Sequence, residues 1–574
     1  MRPDFKNSFV MFCKSHTSHQ LSLFSGTHTL LTHRALKKYE DHHMWHNQFR
    51  TQVTQRINET IFRPLFREDF GAPNASIRVL MGMMVLKEAH GWSDEKLFEE
   101  CLFNILVRSA LGLMNMDDAL PAASTYYLLR KRIVEWEEAG HENLIEKVFE
   151  QITKSQFIEF KINGKKIRMD SKLMGSNIAW YSRYQLIHET LAIVYHELKA
   201  QIDRLLSASE VDLLKEVSGE TGNKVCYRSS TSEVEARMRA LGVVIHKIIH
   251  QIDNDTLPCF QTLCRVFNEQ YQLVDDAVMA RDKHEISATS VQSPHDPDCH
   301  YRKKGEQQVK GYSINITETC NDEQSLNLVT CVQLEAASAA DCDFLQSAVE
   351  ASQEVASGKV DTVNADGAYH SVDNQDYCQK KGIDLVIGAI QGKPSRYDLD
   401  LKEDGQLLVR DLSTDTVDVA RQVASRKADA EPKWAIRNEK GKNRYFTQKE
   451  IDTCLLRQQI DARPQSEINV RNNVEATIFQ LGYRYPNAKS RYRGMIKHKM
   501  WANVRCLWIN FIRILNFVAG GGSICDQSGQ NSPVLPVFLL KFVKTECFMT
   551  VVKNFSLPFS GNRNLAFLVK NNFL

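Results

Sequence analysis

The hydrophobic period changes repeatedly along this chain, and that alternation confines it to a mixed α/β architecture. From about residue 75 to 139, apolar residues recur at three- and four-residue spacing. SIRVLMGMMVLKEAHGW has a broad apolar stripe. Ser93 stands where an N-cap belongs, before DEKLFEECLFNILVRSALGL, and Ser124-Thr125 opens a third helix carrying Arg130, Lys131 and Arg132. The pattern then alternates in FKINGKKIRMDSKLMG. Asn163-Gly164 has the composition of a two-residue turn, which predicts a hairpin whose second arm, Lys166 to Met169, ends on Asp170. Helical spacing returns from about 184 to 281, and LKEVSGETGNKVCYRSSTSE reads as a loop between two long helices.

After Pro297 the chain alternates again. VKGYSINITET and NLVTCVQLEAA read as strands, DFLQSAVEASQEV as a helix, and VDTVNADGAYHS as a buried strand ending on Asp366. A helix and the strand IDLVIGAIQG follow. Residues 393–463 are polar with short β patterns, helices resume at Ile468, and GGGS at 520–523 begins a linker and a tail without a clear fold signal.

Charge and cysteine usage narrow the possibilities little. Of 574 residues 43% are hydrophobic and 25% charged, and the net charge is +2, as in an ordinary globular protein. The charge is unevenly spread: Arg421 to Arg513 holds 20 Lys and Arg against 8 Asp and Glu, an excess suited to a polyanion or to a solvated basic face. The 14 cysteines include no C-x-x-C pair, which points to a reduced protein without a zinc ribbon. His42, His43 and His46 lack a nearby third ligand and read as solvent-exposed. Asp296, Asp298, Cys299 and His300 read as a turn entering a strand. The opening MRPDFKNSFVMFCKSH lacks a sustained apolar core, and Lys541 and Lys544 interrupt the most apolar tail segment, so no signal or membrane span is expected.

Three acids stand out by their order. Asp170 and Asp366 each end a strand, and Glu475 lies on a later helix. Singly, each reads as a turn residue or a surface charge, and Arg471, four residues before Glu475, makes an ordinary ion pair with it. Together, two strand ends and a packed helix can converge three carboxylates. Hard divalent ions take such oxygen ligands, and two ions about 4 Å apart can stabilise in-line displacement at a phosphodiester. Lys303, Lys304, Arg471, Arg491, Arg493 and Lys497 are cations that could meet the phosphates of a nucleic acid or serve only surface solubility. Trp501 and Trp508, seven apart on a helix, read as core.

Four segments in order carry a family resemblance: IRMDSKLMGSNIAW, then SPHDPDCHYRKKG with VKGYSINI, then VNADGAYHS, then RNNVEATIFQLGYR with RYRGMIKHKMWANVRCLWINFIRI. From Phe66 to Phe517 the chain resembles an insertion-sequence transposase of the DDE type. That resemblance implies an all-α N-terminal domain (61–155, DNA-binding or dimerising, after a polar segment 1–60). It also implies a ribonuclease H-like catalytic domain (156–519), an α/β fold with a mixed sheet and helices on both faces. A helical insertion at 184–290 and a β-rich one at 393–463 would interrupt that domain, and 520–574 would be linker and tail. It further implies two Mg²⁺ or Mn²⁺ ions, with Asp170 bridging them and Asp366 and Glu475 each holding one. The partners would be double-stranded DNA at element ends and target, bound by a homodimer in a bacterial cytoplasm. The reaction would be cleavage at the element ends followed by 3′-hydroxyl strand transfer. Some relatives carry a tyrosine and a lysine where this chain has Ile468 and Gly482, leaving Tyr483 and Arg484 to take over contacts near the DNA end. A nuclease of the same fold without strand transfer, or an inactive DNA-binding derivative, are the alternatives.

Overall fold

The computed structural model describes residues 12–15, 26–67, 73–252, 256–321, 325–390, 392–402, 404–423, 432–437 and 442–520. The chain divides into two compact units, Met1–Arg513 and Ile514–Leu574. Almost all of the tail expected from 520 on lies outside the described residues.

The N-terminal region is helical, as its period predicts. The helix Ile77–His90 is buried nearly all round, so it forms the centre of this region rather than one amphipathic wall. Ser76 caps its start by accepting from the Val79 amide, and Gly91 ends it in the left-handed conformation. Ser93 caps the helix Asp94–Phe103 through the Lys96 amide. The helices Ala123–Glu138 and Leu144–Phe160 follow.

The mixed sheet contains β1 (Lys166–Gly175), β4 (His300–Lys304), β5 (Gln307–Thr319), β6 (Val329–Ala336), β7 (Thr362–Ala365) and β8 (Asp384–Ile387). Between β1 and β4, a small hairpin of β2 (Tyr271–Val274) and β3 (Ala277–Ala280) ends a helical body. The sheet order is β4-β5-β1-β7-β8, and β6 also pairs with β5. β1 is antiparallel to β5 and parallel to β7, and β7 is parallel to β8. From Gly311 to Thr319 every residue of β5 is buried, because both faces of the sheet are covered there. On one face Ile167, Met169, Val363 and Ala365 pack with Leu345, Ala348 and Val349 of the helix Leu345–Ala356. The helix Val474–Gly482 lies against β1 and β5.

The helical body between β1 and β4 has its own core, in which Ile187, Leu191 and Val194 pack with Ile245, Ile248, Leu263 and Val266. Between β8 and the helix Val474–Gly482, the expected β-rich region is a five-stranded antiparallel sheet of β9 (Tyr397–Leu401), β10 (Leu407–Asp411), β11 (Thr416–Val423), β12 (Lys433–Arg437) and β13 (Asn443–Thr447), closed over by the helix Gln448–Ala462.

Six local expectations are corrected. β1 does not end on Asp170 but runs on to Gly175, which places Asp170 in mid-strand. The helical pattern read to 281 stops at Gln270, where the β2–β3 hairpin begins. The hairpin at Asn163-Gly164 does not form, because its first arm is the end of the helix Leu144–Phe160, which stops at Lys161 in the left-handed region. Gly164 instead passes close to the helix Leu345–Ala356, and a β-carbon there would lie 2.4 Å from that of Ala356. The loop expected around 214–233 is largely helical, in Ala208–Gly219 and Gly222–Arg228, started by a capping box at Ser207. Helices resume at Gln448 rather than Ile468, again from a capping box, formed by Thr447 and Glu450. His46 is buried, not exposed, with Nε2 2.9 Å from the Tyr39 carbonyl oxygen. Among the described residues no helix is long and apolar enough to cross a membrane, and the cysteines are free thiols.

Candidate active site

Strand register brings the two aspartates together. β1 and β7 pair Lys166 with Thr362, Ile167 with Val363 and Arg168 with Asn364. Two residues further along that register, Asp170 comes opposite Asp366. Alternation along β1 turns Arg168, Asp170 and Lys172 to the face opposite Ile167 and Met169. That is the face on which the helix carrying Glu475 lies, since Thr477 of that helix and Arg168 both bond Glu318 of β5.

All three acids meet at one guanidinium. Arg471 Nη1 lies 3.4 Å from Asp170 Oδ2 and 3.5 Å from Asp366 Oδ2, and its Nη2 lies 3.4 Å from Glu475 Oε1. Side-chain exposure rises from 18% at Asp170 through 49% at Asp366 to 64% at Glu475, so the cluster has a floor and an open rim. Burial pushes the Asp170 carboxyl above its ordinary value. The Ser171 amide, donating at 2.8 Å, and the Arg471 charge pull it down, and Asp366 pushes it up again. Three carboxylates around one cation leave an excess of negative charge. An all-oxygen donor set from three elements, already gathered around a positive charge, fits a hard divalent ion.

A buried clamp holds these elements in place. Glu318, fully buried, accepts from Arg168 Nε at 2.6 Å, from Thr477 Oγ1 at 2.6 Å and from Arg513 Nη2 at 2.7 Å. Burial opposes its charge, but Arg513 and Arg168 overcome this and hold the carboxyl below its ordinary value. Tyr369, three residues past Asp366, is buried and donates to Asn315 Oδ1 at 2.7 Å, tying that turn to β5. Neither Glu318 nor Arg168 was singled out from sequence. Their signal was the alternation itself, which puts both on the inner face of polar-looking strands.

Gly367 has a steric reason to follow Asp366. A β-carbon there would lie 1.7 Å from the Ala389 carbonyl oxygen, so backbone approaches backbone directly. Gly367→Ala is expected to cost about 1–3 kcal/mol or more and to displace Asp366. A lowered denaturation midpoint together with a loss of metal-dependent DNA cutting would register both effects.

The other basic candidates are scattered around this centre. Lys303 and Lys304 point to opposite faces of β4, and Lys304 lines a cavity of about 230 Å³ with Ser171, Lys172, Arg302 and Asp341. Arg491 donates to the carbonyls of Gly91 at 2.8 Å and Trp92 at 3.0 Å, and so fastens the end of the helix Ile77–His90. Arg493 donates to the Asn177 carbonyl at 2.7 Å, and Lys497 is exposed beside a cavity of about 360 Å³. Of the six, only Arg471 touches the carboxylates. Tyr483 is exposed, with the Arg484 guanidinium 5.0 Å from its ring centre. Trp501 is core, and Trp508 packs among Phe49, His90 and Phe511.

Three carboxylates from separate elements thus converge beside a mixed α/β sheet in a donor set that fits a divalent ion, and comparison with known families names the class. Residues 37–132 match the family described as Transposase domain (DUF772), and residues 278–502 match the Transposase DDE domain. The chain is thereby identified as a DDE transposase of the insertion-sequence type, a nucleic-acid-processing enzyme family that uses divalent metal. Asp366 and Glu475 fall within the second match, and Asp170 falls between the two. No curated protein and no solved structure matches the chain.

Proposed function

We propose that the chain cuts phosphodiester bonds at the ends of an insertion sequence and joins the freed 3′-hydroxyls to target DNA. The observation that carries this reading is the convergence of Asp170, Asp366 and Glu475 on Arg471. The sheet order, with β1 antiparallel to β5 and followed laterally by parallel β7 and β8, supports a ribonuclease H-like fold for this region. In this reading Asp170, Asp366 and Glu475 would hold two Mg²⁺ or Mn²⁺ ions, and Asp170 is the most enclosed of the three. Divalent ions held there supply charge neutralisation at the phosphate and a more acidic attacking hydroxyl.

The protein's own part is positioning. In the first reaction a water oxygen bonds to phosphorus as the phosphorus–O3′ bond breaks, and O3′ leaves with a proton. In the second, that 3′-hydroxyl oxygen loses its proton and bonds to a target phosphorus as the phosphorus–O3′ bond of the target breaks, and the target O3′ leaves with a proton. The Glu318 clamp fixes the strand of Asp170 relative to the helix of Glu475, which keeps the geometry the same for both. The exposed rim at Glu475 leaves room for a DNA strand. The test is an incubation of the protein with duplexes carrying the terminal sequences of its element, supercoiled plasmid and Mg²⁺. Joined products are expected. Cutting without joining under those conditions would assign the chain to the nucleases instead.

A further inference from the structure

Lys172 is a half-buried cation that no carboxylate answers. It follows Asp170 by two residues on β1, so the two side chains leave the same face of the sheet about 7 Å apart along the strand. Arg168 on that face is paired with Glu318, and Asp170 meets Arg471. Lys172 makes no ion pair among the described residues. Its hydrogen bond is a long one, 3.4 Å from Nζ to the Ile478 carbonyl oxygen. An ammonium has three donors, and leaving one half-buried without an anion is costly.

The helix over it is shaped to admit this ammonium. Gly482 closes the helix Val474–Gly482, and a β-carbon there would lie 2.5 Å from Lys172 Nζ and 3.3 Å from Cε. Gly482 is not among the glycines with positive φ, so no backbone requirement accounts for it. A glycine in a helix otherwise costs about 1 kcal/mol relative to alanine. What it provides is space for the lysine head. The adjoining cavity, which Lys172 lines with Arg302 and Lys304, has three cations to the one carboxylate of Asp341.

We propose that Lys172 binds a non-bridging phosphate oxygen of the DNA strand beside the bond that is cut, and that Gly482 keeps the space for it. This rests on the function proposed above. The test uses the full chain, a fluorescent duplex carrying the element's terminal sequence, and the variants Lys172→Met, Lys172→Arg and Gly482→Ala. Methionine keeps the packed stem and removes the charge. Alanine at 482 favours the helix and displaces only the flexible lysine head. Affinity is measured in EDTA across salt concentrations, and KM and kcat for cutting in Mg²⁺, on variants that melt like the wild type.

Lys172→Met and Gly482→Ala should each flatten the plot of log affinity against log salt by about 0.9, one phosphate contact. Each should also raise KM several-fold, and Lys172→Arg should keep the wild-type slope. A Lys172→Met slope equal to that of the wild type, with wild-type cutting intact, overturns the contact and leaves the proposed function standing. A Lys172→Met slope flattened relative to the wild type, when neither wild type nor variants cut in Mg²⁺, overturns that function and leaves the contact.

Discussion

Asp366→Asn is expected to reduce metal-dependent DNA cutting by about a thousandfold or more while leaving DNA affinity near wild type. The change is nearly isosteric. It leaves Gly367 in its close approach to Ala389 and the Tyr369 bond to Asn315 in place, so β7 and its turn should be preserved. What it removes is a charged oxygen donor at the centre where Asp170, Asp366 and Glu475 surround Arg471. Losing even an outer partner of a metal ligand typically costs about 10–100-fold, and a direct ligand should cost more. Cutting rates over a range of Mg²⁺ concentrations, beside a binding isotherm in EDTA, separate the two effects. A variant that cuts at the wild-type rate would remove Asp366 from the reaction.

Glu318→Gln is expected to cost about 3–5 kcal/mol, because it strips one charge from a buried network and leaves its partners uncompensated. Arg168 and Arg513 both point at this fully buried carboxylate, and Thr477 donates to it from the helix that carries Glu475. The glutamine amide cannot accept from all three donors. The pH dependence follows from the depressed carboxyl. The stabilisation is fully present above the unfolded carboxyl value of about 4.3 and is lost as pH falls through the lower folded value. Denaturant melts of wild type and Glu318→Gln should therefore differ strongly at pH 7 and converge in acid. A gap unchanged down to the acid limit would mean that the charge of Glu318 is not what stabilises the fold.

The architecture was legible where hydrophobic period was strong. β5 and β6 lie where alternation placed them, β7 and β8 where short strands were read, and β1 begins at Lys166 as expected. The helical body follows the three- and four-residue spacing as far as Gln270, and the second sheet follows the short β patterns after 393. The failures were local contests. Asn163-Gly164 carries hairpin chemistry, yet the preceding apolar run continues the helix Leu144–Phe160 because Phe149, Ile152 and Phe157 bury on it. The segment after Leu213 is rich in Ser, Thr and Gly, but Leu214, Val217 and Val225 pack into the helical core and carry the backbone with them. Asp366 and Glu475 stand where the sequence put them, just after the end of β7 and in the first turn of a helix, whereas Asp170, read as a strand end, lies in the middle of β1. Arg471 could not be assigned to them, since an i, i+4 pair with Glu475 explained it fully until register placed Asp170 and Asp366 beside it. Glu318, Gly367 and Lys172 depend on contacts across 22 to 306 residues, which no local pattern encodes.

Asp170, Asp366 and Glu475 are proposed to form one divalent-metal site. Iron-directed backbone cleavage tests it directly: the protein is loaded with Fe²⁺ in place of Mg²⁺, treated with ascorbate and peroxide, and its fragments are mapped by mass spectrometry. The expected cuts fall next to residues 170, 366 and 475, are suppressed by excess Mg²⁺ and disappear in Asp366→Asn. Cuts confined to another cluster, such as the exposed Asp41, His42 and His43 whose ligand atoms lie within 4.8 Å of one another, would contradict it.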